Sequence, residues 1–200
     1  MTGCPRSAAG ATVAVSAPSQ QKRRSRTVLQ NNRRFLQHAS QADHRSAEAT
    51  WVTPAGFRNR DHYRLWLRTL LRAHLIIGRA AAATCMPEDT QEKQRIDAIC
   101  ADLTICPPTP EKITVASSDW AWGACYALNG SALGAFMLLK SGAVAAPWPV
   151  RYLDHMRNYA TSGQLAMFFK SLNNQSLCRE NAALGARAVF SLIAGSKPRV

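Results

Sequence analysis

Five histidines are the side chains in this chain best suited to bind a metal ion or to move a proton near neutral pH. Their spacing gives no chelating pair, because His38 and His44 are six residues apart and so lie about 240° apart round a helix. His74 falls on the apolar face of a predicted helix, which favours a hydrogen-bonded core histidine over a metal ligand. The chain also has no Ser-His-Asp signature, no phosphate-binding glycine loop and no paired carboxylates in an apolar setting. If the protein is an enzyme, we expect a bound cofactor to supply its reactive centre.

Residues 120–139 form the most distinctive stretch of the chain, 20 residues long and almost wholly apolar. Its small residues share one helical face: Gly123, Ala127, Gly130 and Gly134, with Ser131 beside them. Glycine inside a helix costs roughly 0.5–1 kcal/mol relative to alanine. The stripe therefore indicates close approach by another helix or by a flat ligand.

The same stretch has features of a transmembrane dimerisation helix. It begins with tryptophans, ends at Lys140 and contains G-x-x-x-G at 130–134. Asn129 and Ser131 lie mid-span, however, and its many Ala and Gly residues make it only mildly hydrophobic. We therefore predict the buried central helix of a soluble bundle and no membrane span.

The net charge of +13 is concentrated at the N-terminus. Residues 1–34 hold seven basic side chains and no acid, which leaves a charge of +6 on the remainder. A body of modest positive charge suits an anionic ligand or an acidic protein partner, and does not by itself indicate nucleic acid.

Residues 1–27 are rich in Ser, Ala, Gln and Arg without a hydrophobic period, which predicts a disordered basic tail. An electrostatic handle at 22–26 and an organellar transit peptide are the alternatives for this segment. Six cysteines are scattered without a C-x-x-C pair, and no apolar signal sequence precedes them. We expect reduced thiols in a cytoplasmic protein.

Helical periodicity dominates the rest of the chain, and no segment alternates convincingly as a strand, so the predicted fold class is all-α. Arg64, Arg68 and Arg72 lie on the polar side of the second helix and form either a solvated face or a docking surface for an acidic redox partner. The predicted helices are 28–49, 62–83 capped by Asp61, 91–103, 120–140 capped by Asp119 or Ser118, 151–160, 163–173 and 180–194.

Several segments together resemble the bacterial-type, biliverdin-producing haem oxygenases. The first helix of that family reads L-R-x-A-T-x-x-x-H-x-x-L-E, and its histidine is the proximal iron ligand. The same spacing occurs here in Leu36, Ala39, Ser40, His44, Ala47 and Glu48. The family's distal helix reads Y-V-L-E-G-S-x-L-G-G, and residues 126–135 here read YALNGSALGA.

Shorter segments extend the resemblance over roughly residues 28–192, in the family's order. Phe57, Tyr63 and Leu67 match F-x-x-x-x-x-Y-x-x-x-L, and His74 matches an inward histidine. The remaining counterparts are residues 95–103 for R-I-D-x-L-x-x-D-L and residues 167–172 for a late W-x-x-F-x-x-x-L element.

The resemblance implies a single haem oxygenase-like domain over residues 28–195, with haem between a proximal and a distal helix. Haem would be both cofactor and substrate, cleaved with O₂ to biliverdin, iron and CO in bacterial haem catabolism. Electrons would come from an external donor such as ferredoxin or a flavin reductase, and a phytochrome could accept the bilin.

The resemblance also assigns residues to the haem site. His44 becomes the axial ligand, and the distal side consists of Gly130, Ser131 and Gly134. Tyr126 and Ala127 would contact the cofactor, while Lys170 and Arg33 or Arg34 would pair with the propionates.

Two departures lie on the distal helix, where Asn129 replaces the family's glutamate and Ala135 replaces its second glycine. An alanine methyl group there would narrow the distal side. A non-catalytic haem- or bilin-binding member of the fold is therefore the alternative function. A helical interaction protein that uses the G-x-x-x-G face is the third reading.

Overall fold

The computed structural model describes residues 32–53, 56–88, 90–109, 114–144 and 146–195, and within these ranges the protein is helical and has no strand. The all-α prediction is confirmed. The predicted tail, residues 1–27, lies outside the described residues. The helices are α1 (Asn32–Ala39), α2 (Gln41–Trp51), α3 (Arg60–Ala73), α4 (Arg79–Cys85), α5 (Gln91–Leu103), α6 (Ser118–Lys140), α7 (Arg151–Thr161), α8 (Gln164–Asn173) and α9 (Arg179–Gly195), and a π-helical turn, His74–Gly78, joins α3 to α4.

Helix α6 lies at the centre of the bundle and packs against α4, α7, α8 and α9. Its N-terminal half is apolar or small on every side, as a helix surrounded by other helices must be. Buried apolar side chains from all nine helices form one cluster around it. The core therefore surrounds α6, and the other helices are positioned by their contacts with it.

The first predicted helix, 28–49, is divided in two at Ser40, and its first four residues lie outside the described ranges. The Ser40 hydroxyl donates to the carbonyl of Leu36 at 2.7 Å, and the Ser40 backbone leaves helical geometry with φ −110° and ψ 7°. Serine hydroxyls compete for helix carbonyls in this way and often bend helices. The chain therefore forms two helices, α1 and α2, in place of the one predicted.

Two predicted helix caps are wrong by one or two residues. Asn59, not Asp61, accepts from the backbone N–H of His62 at 2.8 Å and begins α3. Ser117, rather than Asp119 or Ser118, accepts from the N–H of Trp120 at 3.1 Å and begins α6. Both caps have the extended backbone that an N-cap requires, whereas the predicted residues already lie in the first turn.

The small-residue stripe of α6 has two separate environments. A Cβ atom at Gly123 would overlap the backbone of Ala182 on α9, and one at Gly185 of α9 would overlap the backbone of Trp120. These glycines let α6 and α9 approach closely. At Gly130 and Gly134, by contrast, an added Cβ would meet nothing within 4 Å. The C-terminal part of the stripe therefore faces open space.

Among the described residues, the helix Ser118–Lys140 is long and apolar enough to cross a membrane. Half of its most apolar 18-residue window is buried inside the bundle. The core helix of a soluble protein has the same properties, so the predicted absence of a membrane span stays a prediction.

We expect alanine substitutions to separate the two environments of the stripe. Gly123→Ala should lower the free energy of unfolding by about 1–3 kcal/mol, because the new methyl group would push against helix backbone. Gly134→Ala should leave stability unchanged or raise it by about 0.5–1 kcal/mol, because alanine favours the helix and meets no neighbour. Urea denaturation measures both, and equal effects of the two substitutions would contradict the assignment.

Candidate functional site: a slot between α2 and α6

Two adjoining cavities lie between α2 and α6. The first, here called the apolar cavity, has a volume of about 380 Å³, and the second, the cationic cavity, about 420 Å³. His44, Glu48, Gly134 and Phe190 line both cavities, so the two are parts of one slot. Each volume falls within the range of about 300–1,000 Å³ that is usual for ligand pockets.

The two ends of the slot differ in chemistry. Apolar side chains, among them Trp51, Leu70 and Ile193, line most of the apolar cavity. The cationic cavity is lined by two basic side chains, Arg33 and Arg45, and one acidic side chain, Glu48, together with neutral polar side chains of α1 and α2 and apolar side chains of α6. The slot therefore suits a ligand with an apolar body and an anionic end.

His44 lies on the α2 side of the slot and is the histidine that lines these cavities. Its side chain is 49% exposed, and its Nδ1 atom lies 3.4 Å from a carboxylate oxygen of Glu48, one helical turn later. The imidazole and the Phe190 ring on α9 form a T-shaped pair, with centroids 5.1 Å apart. Glu48 and Phe190 together orient an imidazole that remains accessible from the slot.

The predicted distal residues lie on the α6 side. Gly130 lines the cationic cavity with Tyr126 and Ala127, while Gly134 lines both cavities. Ser131 lines the apolar cavity, and its hydroxyl donates to the carbonyl of Leu128 at 2.6 Å. The structure thus brings the His44 helix and the predicted distal glycines to the same slot.

The predicted propionate partners are only partly at the slot. Arg33 lines the cationic cavity, with its guanidinium 4.0 Å from the centre of the Phe169 ring. Lys170 and Arg34 are exposed and line neither cavity, and their pairing with the propionates stays a prediction. Arg45, which directly follows His44, lines the cationic cavity and was missed by the sequence analysis.

A buried polar cluster lies behind α6. The sequence predicted one of its members, His74, as a hydrogen-bonded core histidine, and the other members were missed. His74 is fully buried; its Nδ1 lies 2.8 Å from Glu92 Oε1 and its Nε2 lies 3.3 Å from the Tyr152 hydroxyl. Arg95, 2% exposed, donates to Glu92 Oε2 at 3.4 Å and to the Asn129 side-chain oxygen at 2.8 Å. Asn129 also donates to the carbonyl of Cys125 at 2.8 Å.

This cluster changes the interpretation of Asn129. Its side chain is 1% exposed and bonds to Arg95, so the residue faces the cluster and not the slot. Asn129 lies in an apolar helix, and Glu92 and Arg95 lie three residues apart on α5. These polar residues are the feature of the sequence that indicates a buried network. Ala135, the other departure, is also buried and does line the apolar cavity.

The cluster has a defined pattern of ionisation. Burial alone would raise the pKa of Glu92, but the adjacent His74 and Arg95 overcome it and hold that pKa below its usual value. Burial raises the pKa of Tyr152 to about 12, with a smaller opposing effect from a hydrogen bond to Ser131. Glu92 is therefore a carboxylate near neutral pH, and Tyr152 keeps its proton.

Comparisons with models of known protein families, with curated protein sequences and with solved structures found no match for this chain. Among the residues that the structure describes, no three His, Cys, Asp or Glu side chains come together as a metal-binding group. A site with one axial histidine is not of that kind. The assignment of His44 as an iron ligand stays a prediction.

Removal of the Glu92 charge should strongly destabilise the protein. We expect Glu92→Gln to lower the free energy of unfolding by about 3–5 kcal/mol at pH 7, because Arg95 would lose its buried counter-ion. The native pKa of Glu92 lies below its unfolded value of about 4.3, so its contribution is complete above that pH and is lost as the pH falls further. Urea denaturation across the acid range measures this.

The matched control is Glu48→Gln, which removes the carboxylate of a side chain that is 60% exposed and paired only with His44. Its effect on stability should be small at every pH. A gap between wild type and Glu92→Gln that stays constant down to pH 3 would contradict the ionised buried pair.

Proposed function

We propose that this protein binds haem in the slot and cleaves it with O₂ to biliverdin, iron and CO. The observation that carries the proposal is the placement of His44 and of the open glycines Gly130 and Gly134 on one slot. His44 on α2 would be the proximal ligand, and α6 would be the distal helix.

The shape of the slot supports a flat ligand. A side chain at position 130 or 134 would project into the slot, since a Cβ atom there meets no protein atom within 4 Å. Because the two glycines have no side chain, the backbone of α6 can contact a flat ring system directly. A partner helix would use the same feature, but the imidazole and cations across the slot favour an iron porphyrin.

The charge of the slot supports haem in one orientation. Haem has two propionates on one edge and apolar substituents elsewhere. The propionates would lie in the cationic cavity, where Arg33 and Arg45 can pair with them. The opposite edge would contact Trp51, Leu70 and Ile193 in the apolar cavity.

His44 has the surroundings of an axial ligand. Glu48 is placed to accept from Nδ1, which would leave Nε2 as the free ligand nitrogen. A carboxylate partner fixes the tautomer of a ligating imidazole and increases its basicity. The ring contact with Phe190 limits rotation of the imidazole.

Bound haem would supply the iron at which O₂ is reduced and the porphyrin carbon that is oxidised. The protein would hold the distal side open through Gly130 and Gly134 and would place the hydroxyl of Ser131 beside it. Electrons would come from an external donor, such as ferredoxin or a flavin reductase. The bilin could pass to a phytochrome.

A non-catalytic haem- or bilin-binding protein is the second candidate. Ala135 favours it, because this buried residue lines the apolar cavity at the position where the resembling family has glycine. Its methyl group reduces the space on the distal side. The two candidates share a binding site and differ in turnover.

Haem titration tests the shared site. Purified protein should give a sharp Soret band that saturates at one haem per chain, and His44→Ala should shift the band and weaken binding by at least about tenfold, the loss of roughly 1.4 kcal/mol. His38→Ala is the matched control: this exposed histidine on α1 lines neither cavity. Absence of a band at stoichiometric haem would reject both candidates.

A steric variant tests the orientation of α6. Gly134→Leu should fill the slot and abolish stoichiometric haem binding while the helical content of the protein is retained. Haem binding by Gly134→Leu at wild-type affinity would show that haem does not lie on this face of α6.

Turnover separates the two candidates. Haem-loaded protein supplied with O₂ and a reductase should lose its Soret band, form a bilin absorption and release CO. Protein that keeps a stable ferric or ferrous spectrum under these conditions is the non-catalytic binder. CO trapping by myoglobin distinguishes enzymatic cleavage from unspecific bleaching.

A further inference from the structure

We propose that Glu92, His74 and Tyr152 form a side-chain path that carries a proton between the buried polar cluster and the slot. Tyr152 would be the group at the wall of the slot, His74 would hold and release the proton behind it, and Glu92 would be the positioning residue. The path belongs to the ligand-free protein; only its use in haem cleavage rests on the proposed function.

The geometry is that of a carboxylate, an imidazole and a hydroxyl in series. The 2.8 Å contact between Glu92 Oε1 and Nδ1 of His74 places the ring proton on Nδ1 when the imidazole is neutral. Nε2 then faces the Tyr152 hydroxyl at 3.3 Å as an acceptor. When the imidazole is doubly protonated, the same contact reverses and Nε2 donates to the hydroxyl oxygen. One arrangement therefore supports proton transfer in either direction.

Among the described residues, the path reaches an open space only at the slot. Tyr152 and Ser131 both line the apolar cavity, and Ser131 lowers the pKa of Tyr152 against the larger, opposite effect of burial. The Ser131 hydroxyl donates to the Leu128 carbonyl. His74 itself is fully buried. A proton that reaches His74 from solvent must therefore pass Tyr152 or require an opening of the core.

The charged and titratable groups around His74 lie on α5 and α7. Glu92 and Arg95 on α5 compensate each other, so a neutral His74 leaves the cluster without net charge. His155 on α7 also faces the cluster, and burial, together with Arg95 and His74, lowers the pKa of His155. Glu92 is therefore the acidic side chain in direct contact with the His74 ring.

Two features of the backbone place Glu92 against the imidazole. His74 begins the π-helical turn His74–Gly78, a geometry that is rare within helices and frequent at functional sites. Gly78 ends this turn, and a Cβ atom there would overlap the Glu92 carboxylate. The absence of a side chain at Gly78 lets that carboxylate lie against the turn.

The proposed step breaks the O–H bond of Tyr152 and one N–H bond of His74 and forms two new O–H bonds. No atom is oxidised or reduced. Tyr152 gives its hydroxyl proton to an oxygen atom in the slot, which is water in the ligand-free protein, and its oxygen takes the Nε2 proton of doubly protonated His74. The ring becomes neutral, and its positive charge moves to the acceptor in the slot. Tyr152, whose pKa is about 12, passes the proton and remains neutral. The reverse sequence reloads His74.

Proton exchange of the His74 ring tests the path in full-length, ligand-free protein. With ¹⁵N-labelled histidine, the His74 ring signal is assigned through His74→Gln, and its exchange with water is measured by NMR. Tyr152→Phe should slow this exchange on the order of tenfold or more, because a positioned proton-transfer group is removed. A residue with a merely structural role would leave the exchange unchanged or make it faster.

Tyr63→Phe is the matched control. Its hydroxyl is also buried and donates to the Pro149 carbonyl at 2.9 Å, and Tyr63 lines neither cavity. It should leave His74 exchange at the wild-type rate. Exchange in Tyr152→Phe that equals or exceeds that of Tyr63→Phe overturns the proposal. If Tyr152→Phe does not fold, Ser131→Leu is used to place a larger, apolar side chain at the same end of the path. Unchanged His74 exchange in that variant also overturns the proposal.

A diamagnetic probe separates this proposal from the proposed function. Gallium protoporphyrin IX, added at saturation, should slow His74 exchange in wild type by excluding water from the slot. If the probe does not bind, the result counts against the haem site. The comparison of Tyr152→Phe with Tyr63→Phe still tests the path in that case. Binding of the probe with no change in exchange places the solvent route elsewhere and overturns the path.

Discussion

The close approach of α6 and α9 is the constraint on which the rest of the molecule depends. Gly123 on α6 and Gly185 on α9 each lie where a Cβ atom would meet the backbone of the other helix. This contact fixes the separation of the two helices at the centre of the core. Phe190 and Ile193, one and two turns further along α9, consequently lie beside the C-terminal half of α6 and line the slot.

The buried polar cluster forms a second, independent connection around α6. It joins the π-helical turn, α5, α6 and α7 through side chains that have almost no contact with solvent. Asp102 on α5 adds to this connection. Its carboxylate accepts from the backbone N–H groups of Arg151 and Tyr152, at the start of α7, at 3.0 and 2.9 Å. Burial of so many polar groups is costly unless each is paired. The hydrogen bonds of the cluster join four elements, while the buried Nε atom of Arg95 has no hydrogen-bond partner among the described residues.

The sequence predicts the helices well because their apolar residues recur at helical spacing. It does not predict the break at Ser40, since the competing hydroxyl bond to Leu36 is a local choice that the apolar period does not show. The joint placement of His44 and Gly134 comes from the resemblance between ordered segments, because nothing in the spacing brings residues 90 positions apart together.

The position of Lys170 outside both cavities and the omission of Arg45 from the predicted site have one cause. Both depend on which side of a helix faces the slot, and that is decided by tertiary packing. The contact of Arg95 with Asn129 likewise joins positions that are 34 residues apart. A polar residue within an apolar helix indicates that a partner exists, but the chain does not reveal which residue it is.

The division of α6 into a packed half and an open half separates two kinds of evolutionary change. Substitutions near Gly123 alter the fold, because they disturb the backbone of α9. Substitutions from Gly130 onward on the slot side alter the shape offered to a ligand and leave that helix contact intact. The shape of the slot can therefore change through substitutions in a short run of one helix, without loss of the contact that fixes the core.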